Sequence, residues 1–379
     1  MKLKAIEPTP SPNSMKLIID QTLPDRETFH YKKDDAEKAP PLLKQLLLIE
    51  GVKSLYHVAD FIALDRIPNL SWEQILPKVR EVFGEYAEEE TENMAEQIRD
   101  SFGEVQVFVQ FFRGIPMQIK LVSGSEEKRV GLPARFSEAV MKAQTSSANV
   151  VMERQWKEQG VRYGDLVEVG QAVAEEISAA YDDERLNQLV QHAFEPTQNE
   201  RRRTISSHEV EKALENDDWR VRFAALEKMD PKKSDLPILA KALKDEKSSV
   251  RRLATVYLGM IDDEEVLPYL FKALKDKTVI VRRTAGDCLS DIGSKKAIPA
   301  MIDALKDDSR LVRWRAAMFL YEVGDESAIP ALKEAENDPE FEVRLQATMA
   351  RKRIESGEEA AGSVWKQMTE SRKQNNKSH

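Results

Sequence analysis

The sequence predicts two small α+β domains followed by an all-α solenoid of about five helix pairs. Three observations carry this. First, between Val210 and Ile354 the pairs Val221-Arg222, Val250-Arg251, Val281-Arg282, Val312-Arg313 and Val343-Arg344 recur every 29 to 31 residues. Self-similarity at that period marks stacked units, each burying its apolar face on its neighbours. Second, the apolar residues inside each unit fall at helical spacing, as in Leu239, Ala242, Leu243 and then Val250, Ala254, Leu258, Ile261. Third, short stretches of strand character alternate with helical ones ahead of the array, most clearly in Val105, Val107, Val109, Phe111.

The array spans 208–356. Each unit reads as two helices with a Lys-Asp turn between them. Ala225, Ala254, Ala285, Ala316 and Ala347 follow the Val-Arg pairs at a fixed offset. Pro237, Pro268, Pro299 and Pro330 fall in the first turn of a leading helix, where a missing N–H costs nothing. Asp245, Asp276, Asp307 and Asp338 each stand five residues before the next Val. Ser206 and Glu209 have the spacing of a capping box that opens the first helix. These residues resemble the HEAT-like repeats of the phycobilisome-lyase type, a likeness specific for fold and poor in functional content.

Residues 1–84 read as a first α+β domain: strands at 2–7 and 14–19, a helix at 36–49 with Gly51 as its left-handed cap, strands at 52–58 and 61–64, and a helix at 72–83 capped by Ser71. The stretch Glu7-Pro8-Thr9-Pro10-Ser11-Pro12-Asn13-Ser14-Met15-Lys16, with Ile49-Glu50-Gly51-Val52-Lys53-Ser54 and Asp60-Phe61-Ile62, resembles the N-terminal domain of Nfu/NifU-type iron–sulfur scaffold proteins. In that family a separate Cys-x-x-Cys domain holds the cluster, and this chain has none. The resemblance implies a link to iron–sulfur biology and supplies no ligand.

Residues 85–100 are acidic and read as a linker or helix extension. The second α+β domain covers 101–195: strands around 105–111 and 117–122 joined at Arg113-Gly114-Ile115-Pro116, a helix at 133–144, a strand at 149–156, and helices at 166–181 and 184–194, the first capped by Asp165. The stretch from Phe111 to Gln118 resembles the middle domain of the conserved virulence factor C family, which joins an Nfu-like N-terminus, this domain and HEAT-like repeats in the same order. A polar linker at 196–207, with Arg201-Arg202-Arg203, leads into the array, and 357–379 is a polar tail carrying Trp365.

Composition narrows the chemistry. Net charge is −9 and both signs are interspersed, so the chain as a whole is not a nucleic-acid footprint. The lone Cys288 cannot form an intrachain disulfide or a thiolate metal site, and the five histidines have no metal-ligand spacing. No run approaches 18 apolar residues and no signal-peptide core follows Met1, so no membrane partner and a reducing cytoplasm are expected. No phosphate loop, nucleophile–base pair or cofactor motif occurs, so neither a cofactor nor catalysis is expected.

Two residue sets remain. Arg222, Arg251, Arg282, Arg313 and Arg344 recur in step with Asp245, Asp276, Asp307 and Asp338, as a structural ladder of Asp–Arg pairs would. The alternative is a phosphate grip, which would make the chain a HEAT-type nucleic-acid binder. On the second helices, offsets two and six from each Val point away from the packing face yet carry Phe223, Arg252, Arg283, Trp314 and Leu345, with Met318 and Met349. Aromatic, Arg and Met residues mark interface cores, so this stripe is the expected surface for a protein client. The family resemblance makes that client an iron–sulfur or iron-dependent protein, and the chain a non-catalytic adaptor.

Overall fold

A computed structural model describes residues 1–84, 104–194 and 204–357, apart from 10, 12, 25–26, 68–69, 124–125 and 148. The expected acidic linker at 85–100, most of the 196–207 linker and the tail with Trp365 lie outside the described residues. Contacts group the chain into two compact units: the N-terminal module with the chain from Met301 onward, and the described residues between Gly103 and Ala300.

The N-terminal module runs β1 (Leu3–Pro8), β2 (Ser14–Ile19), β3 (Thr28–Lys32), α1 (Pro41–Leu48), β4 (Val52–Val58), β5 (Phe61–Arg66), α2 (Trp72–Val82). Its strands form one antiparallel sheet in the order β1-β2-β5-β4-β3. Leu43, Leu46 and Leu47 of α1 and Ile75 of α2 pack on Leu17, Leu55, Ile62 and Leu64 of the sheet. The expected helix at 36–49 divides in two. Lys33–Lys38 is a 3-10 turn, Ala39 is extended, and the α-helix starts at Pro41. The cause is Pro40: its ring disfavours helical backbone at the residue before it. Strand β3 escapes sequence reading because it is short and its alternation rests on Phe29 and Tyr31 alone.

The middle module runs β6 (Glu104–Phe112), β7 (Ile115–Ser123), β8 (Glu126–Gly131), α3 (Ala134–Gln144), α4 (Val150–Glu153), β9 (Arg154–Tyr163), α5 (Leu166–Ala180), α6 (Asp183–Phe194). The antiparallel sheet has the order β8-β7-β6-β9. The β6–β7 hairpin turns through Arg113 and Gly114, both at positive φ, the backbone whose twist matches that of paired strands. Arg113 carries this backbone while its guanidinium holds Glu153 at 2.6 Å, and that contact keeps the Glu153 carboxyl below its ordinary pKa. The strand expected at 149–156 starts later. Asn149 caps the short α4 by accepting from the Met152 N–H, and the strand occupies 154–163.

The repeats are α7 (Ser207–Ala213) with α8 (Trp219–Glu227), α9 (Leu236–Ala242) with α10 (Ser248–Met260), α11 (Leu267–Ala273) with α12 (Val279–Ile292), α13 (Ile298–Ala304) with α14 (Arg310–Val323), and α15 (Ile329–Ala335) with α16 (Phe341–Ser356). Pro237, Pro268, Pro299 and Pro330 are each the second residue of a leading helix. The Ser206–Glu209 capping box closes in both directions. Between the second and third repeats α10 packs on α12 at a point where only glycine fits: a Cβ on Gly259 would lie 2.4 Å from Cys288 Sγ. Cys288 is buried there, with its Sγ 3.5 Å from the Thr255 carbonyl oxygen.

Two predictions follow from packing. Gly259→Ala should cost about 1–3 kcal/mol by overpacking, and Cys288→Ala in that background should return part of it; circular dichroism melting of the four variants decides. His57 is 4% exposed, its Nε2 has no hydrogen-bond partner, and burial holds its imidazole below the ordinary value. A group kept neutral when folded but free to protonate when unfolded withdraws stability as pH falls. Hydrogen-exchange protection of β4 and β5 should therefore be full above about pH 6.5 and decline below it, and His57→Leu should flatten that decline.

Candidate protein-interaction surface

The chemistry of the repeats begins with the guanidinium that follows each conserved-offset Val. Arg222 donates through Nε and one terminal nitrogen to both oxygens of Asp245, at 2.6 and 2.8 Å, and through the other to the carbonyls of Asn216 and Asp217. Arg251 repeats this with Asp276 at 2.7 and 3.0 Å and the carbonyls of Asp245 and Glu246. Arg313 repeats it with Asp338 at 2.6 and 3.0 Å and the carbonyls of Asp307 and Asp308. Arg282 and Arg344 donate to the carbonyls of Asp276 and Asp338 respectively. Each Asp also accepts a backbone N–H at the start of its own second helix: Lys247 on Asp245, Thr278 on Asp276, Ser309 on Asp307, Glu340 on Asp338. Bidentate pairing fixes direction as well as distance. At Arg222, Arg251 and Arg313 the fork is spent on carboxylates and carbonyls, so the phosphate grip loses those residues.

The stripe at offsets two and six is covered, which corrects the expectation of an open partner surface. Phe223, Arg252, Arg283, Trp314 and Met318 are 4%, 6%, 1%, 4% and 1% exposed, while Leu345 and Met349 are half-buried. The chain's own α+β modules lie over Phe223, Arg252, Arg283, Trp314 and Leu345, each within its own compact unit.

In the middle-module unit, α5 packs on α8, the helix of Phe223. One carboxylate oxygen of Glu176 on α5 accepts from Arg252 of α10 at 3.2 Å and from Arg162 of β9 at 3.1 Å. Burial lowers Arg162 to about 10, the neighbouring Arg252 charge adds to this, and Glu176 opposes it. Arg283 of α12 lies over the Tyr163 ring at 4.0 Å and pairs with Asp287. Glu227, at offset six of the first unit, accepts from Arg185 of α6 at 3.2 Å.

In the other unit the contact is a buried ion pair. Arg66, the last residue of β5, donates to Glu342 of α16 at 3.0 Å, with side chains 2% and 7% exposed. The same guanidinium reaches the Leu70 carbonyl at 3.0 Å and Asn13 Oδ1 at 3.3 Å, and lies over the Trp72 ring. Phe341 and Leu345 join the apolar core of the N-terminal module. Trp314 and Trp72 wall a cavity of about 10 Å³ with Ser14, Glu342 and Gln346, room for one water.

Sequence reading missed Arg66, Glu176 and Glu342. A signal was present. Arg66 shares strand parity with Ile62 and Leu64, and Glu176 continues the helical stripe of Val169 and Val173, so each is a charge at a core position. Such a charge needs a buried partner.

The comparisons with known proteins follow this architecture. A Staphylococcus aureus (strain MRSA252) protein named conserved virulence factor C is 50% identical over 371 residues, 97% of this chain and 99% of its own length. The chain belongs to the conserved virulence factor C family. A Bacillus subtilis (strain 168) protein, YpgR, is 59% identical over 377 residues, covering 98% of this chain and 99% of YpgR. Within this family member, residues 3–90 match the family described as scaffold protein Nfu/NifU N terminal, 110–190 match virulence factor, and 208–285 with 270–352 match HEAT repeats. Among solved structures, protein SAV1430 from Staphylococcus aureus is 38% identical, with 22% of this chain and 99% of that chain covered at a TM-score of 0.21. The CpcE–CpcF complex of phycocyanin lyase from Nostoc sp. PCC7120 matches at 20% identity and a TM-score of 0.34, over 42% of this chain and 69% of that chain.

Removing one partner of a buried pair strands the other charge, which typically costs about 3–5 kcal/mol. Arg66→Leu or Glu342→Leu alone should therefore expose the N-terminal module to limited proteolysis, while the double variant should resist it nearly as the parent does. Equal sensitivity of single and double variants would show that the pair contributes no coupling.

Proposed function

We propose that this chain is a non-catalytic cytoplasmic adaptor that presents an Nfu/NifU-type N-terminal domain on HEAT repeats and serves iron–sulfur cluster assembly or delivery. The observation that carries the reading is the Arg66–Glu342 pair: it holds the Nfu/NifU-type module to the fifth repeat at 3.0 Å with both side chains out of water. A module held in that way is displayed in one orientation, which suits a platform that receives a client. The cluster would be cargo on that client. A single buried cysteine in 379 residues cannot furnish the four thiolates a stable cluster requires. No helix among the described residues is long and apolar enough to cross a membrane, which fits an adaptor working away from the bilayer.

Two experiments test this. Anaerobic reconstitution with iron and sulfide should leave the purified chain colourless, and one cluster per chain would overturn the cargo reading. Immobilised chain should enrich iron–sulfur proteins from an anaerobic extract, by mass spectrometry and with nuclease present. Recovery of no iron–sulfur protein above a bare-resin control sinks the adaptor reading, and nuclease-sensitive recovery turns it to nucleic acid.

A further inference from the structure

Strand β8 is one of the two edges of the middle-module sheet, and a groove runs beside it. Strand β8 pairs with β7 along all six residues and, among the described residues, has no strand on its other side. Alternate backbone N–H and C=O groups of Glu126–Gly131 therefore point outward unpaired, a template for one more strand. The wall facing this edge is α5. Gly170 lets that helix sit directly over β7 and β8, since a Cβ there would come 2.7 Å from Leu121 and 2.8 Å from Val130. With α5 so placed, Val167, Gln171, Ala174 and Ser178 face the groove. Their spacing of four, three and four residues is one helical stripe, separate from the buried stripe of Val169, Val173 and Glu176. The groove between strand edge and helix has a volume of about 760 Å³, and Val167 is half-exposed in it.

Charge selects the occupant. Lys128, Arg129 and Arg220 line the groove against one carboxylate, Glu175, and that carboxylate already accepts from Lys247 at 2.7 Å. Arg129 contacts Glu127 at 2.9 Å and Arg220 contacts Asp218 at 3.4 Å, both as well-exposed pairs. Exposed pairs of this kind hold about 0–1 kcal/mol and exchange readily for a better acceptor. We propose that this groove binds an extended acidic peptide segment of a partner protein, added as a fifth strand along β8. The backbone supplies affinity, alternate apolar side chains meet Val167 and Ala174 on the α5 side, and the alternate carboxylates meet Arg129 on the opposite face, where its guanidinium lies 5.9 Å from the centre of the Trp156 ring. A strand of six residues spans about 20 Å, the length of β8. The site is built by the middle module with Arg220 of the first repeat and is independent of the iron–sulfur reading.

The test uses the full chain and fluorescein-labelled octapeptides, read by anisotropy. The probes are (Glu-Val)4, (Lys-Val)4 and two forms of (Glu-Val)4 carrying N-methyl groups on one or the other alternate set of amides. The acidic peptide should saturate, the basic one should bind at least about tenfold more weakly, and one N-methylated form should lose binding by a similar factor. Arg129→Glu with Arg220→Glu should reverse the preference between acidic and basic peptides at unchanged melting temperature. Hydrogen exchange of Glu126–Gly131 should slow on addition of (Glu-Val)4, a readout that survives if the double variant proves unstable. The proposal falls if (Glu-Val)4 does not saturate, if both N-methylated forms bind as well as the parent peptide, or if exchange along β8 is unmoved.

Discussion

A guanidinium withdrawn from water must be matched by carboxylates, carbonyls or an aromatic face, or the fold loses several kcal/mol. That constraint organises this chain. Arg222, Arg251 and Arg313 meet it by closing their own turn and clasping the aspartate of the next unit. The turn carbonyls fix where the Arg begins, and the bidentate Asp fixes where the next helix pair must start. Stacking register is therefore written in directional hydrogen bonds, while the apolar stripes supply the non-directional part of the stability. The pairing survives a change of length: Arg222 and Asp245 are 23 residues apart, Arg251 and Asp276 are 25, and both make the same bidentate contact, so the segment between them absorbs the two-residue difference.

The same constraint recurs where the α+β modules meet the repeats. Glu176 sits between Arg162 and Arg252, and Arg66 sits between Glu342, Leu70 and Asn13. An apolar contact tolerates sliding, whereas a buried fork does not. Each module is thus held in one pose within its compact unit. The single-water cavity beside Trp314 and Gln346, whose Nε2 finds no protein partner, lies next to this fork, where polar groups are fixed more by direction than by close packing.

Much of the architecture was legible because it is local. Repeat period, capping box, leading prolines and the Arg113-Gly114 hairpin each depend on residues a few positions apart. The inner stripe was legible only in part. Periodicity showed that Phe223, Arg252, Arg283, Trp314 and Met318 have interface composition on a face turned from the helix-packing core. It could not show that the covering surface belongs to the same chain, more than forty residues away in sequence, because helical period describes one element and not its neighbour. The edge strands β3 and β8 were illegible for a different reason. Both are largely exposed edge strands: Glu126–Gly131 carries no apolar alternation, and Thr28–Lys32 offers only Phe29 and Tyr31 to a period-two reading.

Occupation of the inner stripe changes where a partner can act. A client that took the stripe would have to displace a module and strand Arg66 or Glu176 without a counter-charge, at a cost comparable with a typical micromolar binding energy of about 8 kcal/mol once several such contacts are broken. Surfaces already in water carry no such penalty. The β8 edge is one of these: its backbone groups exchange water for peptide one for one, and its arginines hold exposed ion pairs beside the faces of Trp156 and Trp219. Energetically, recognition belongs on the outside of the modules, and the repeats contribute by holding that outside still.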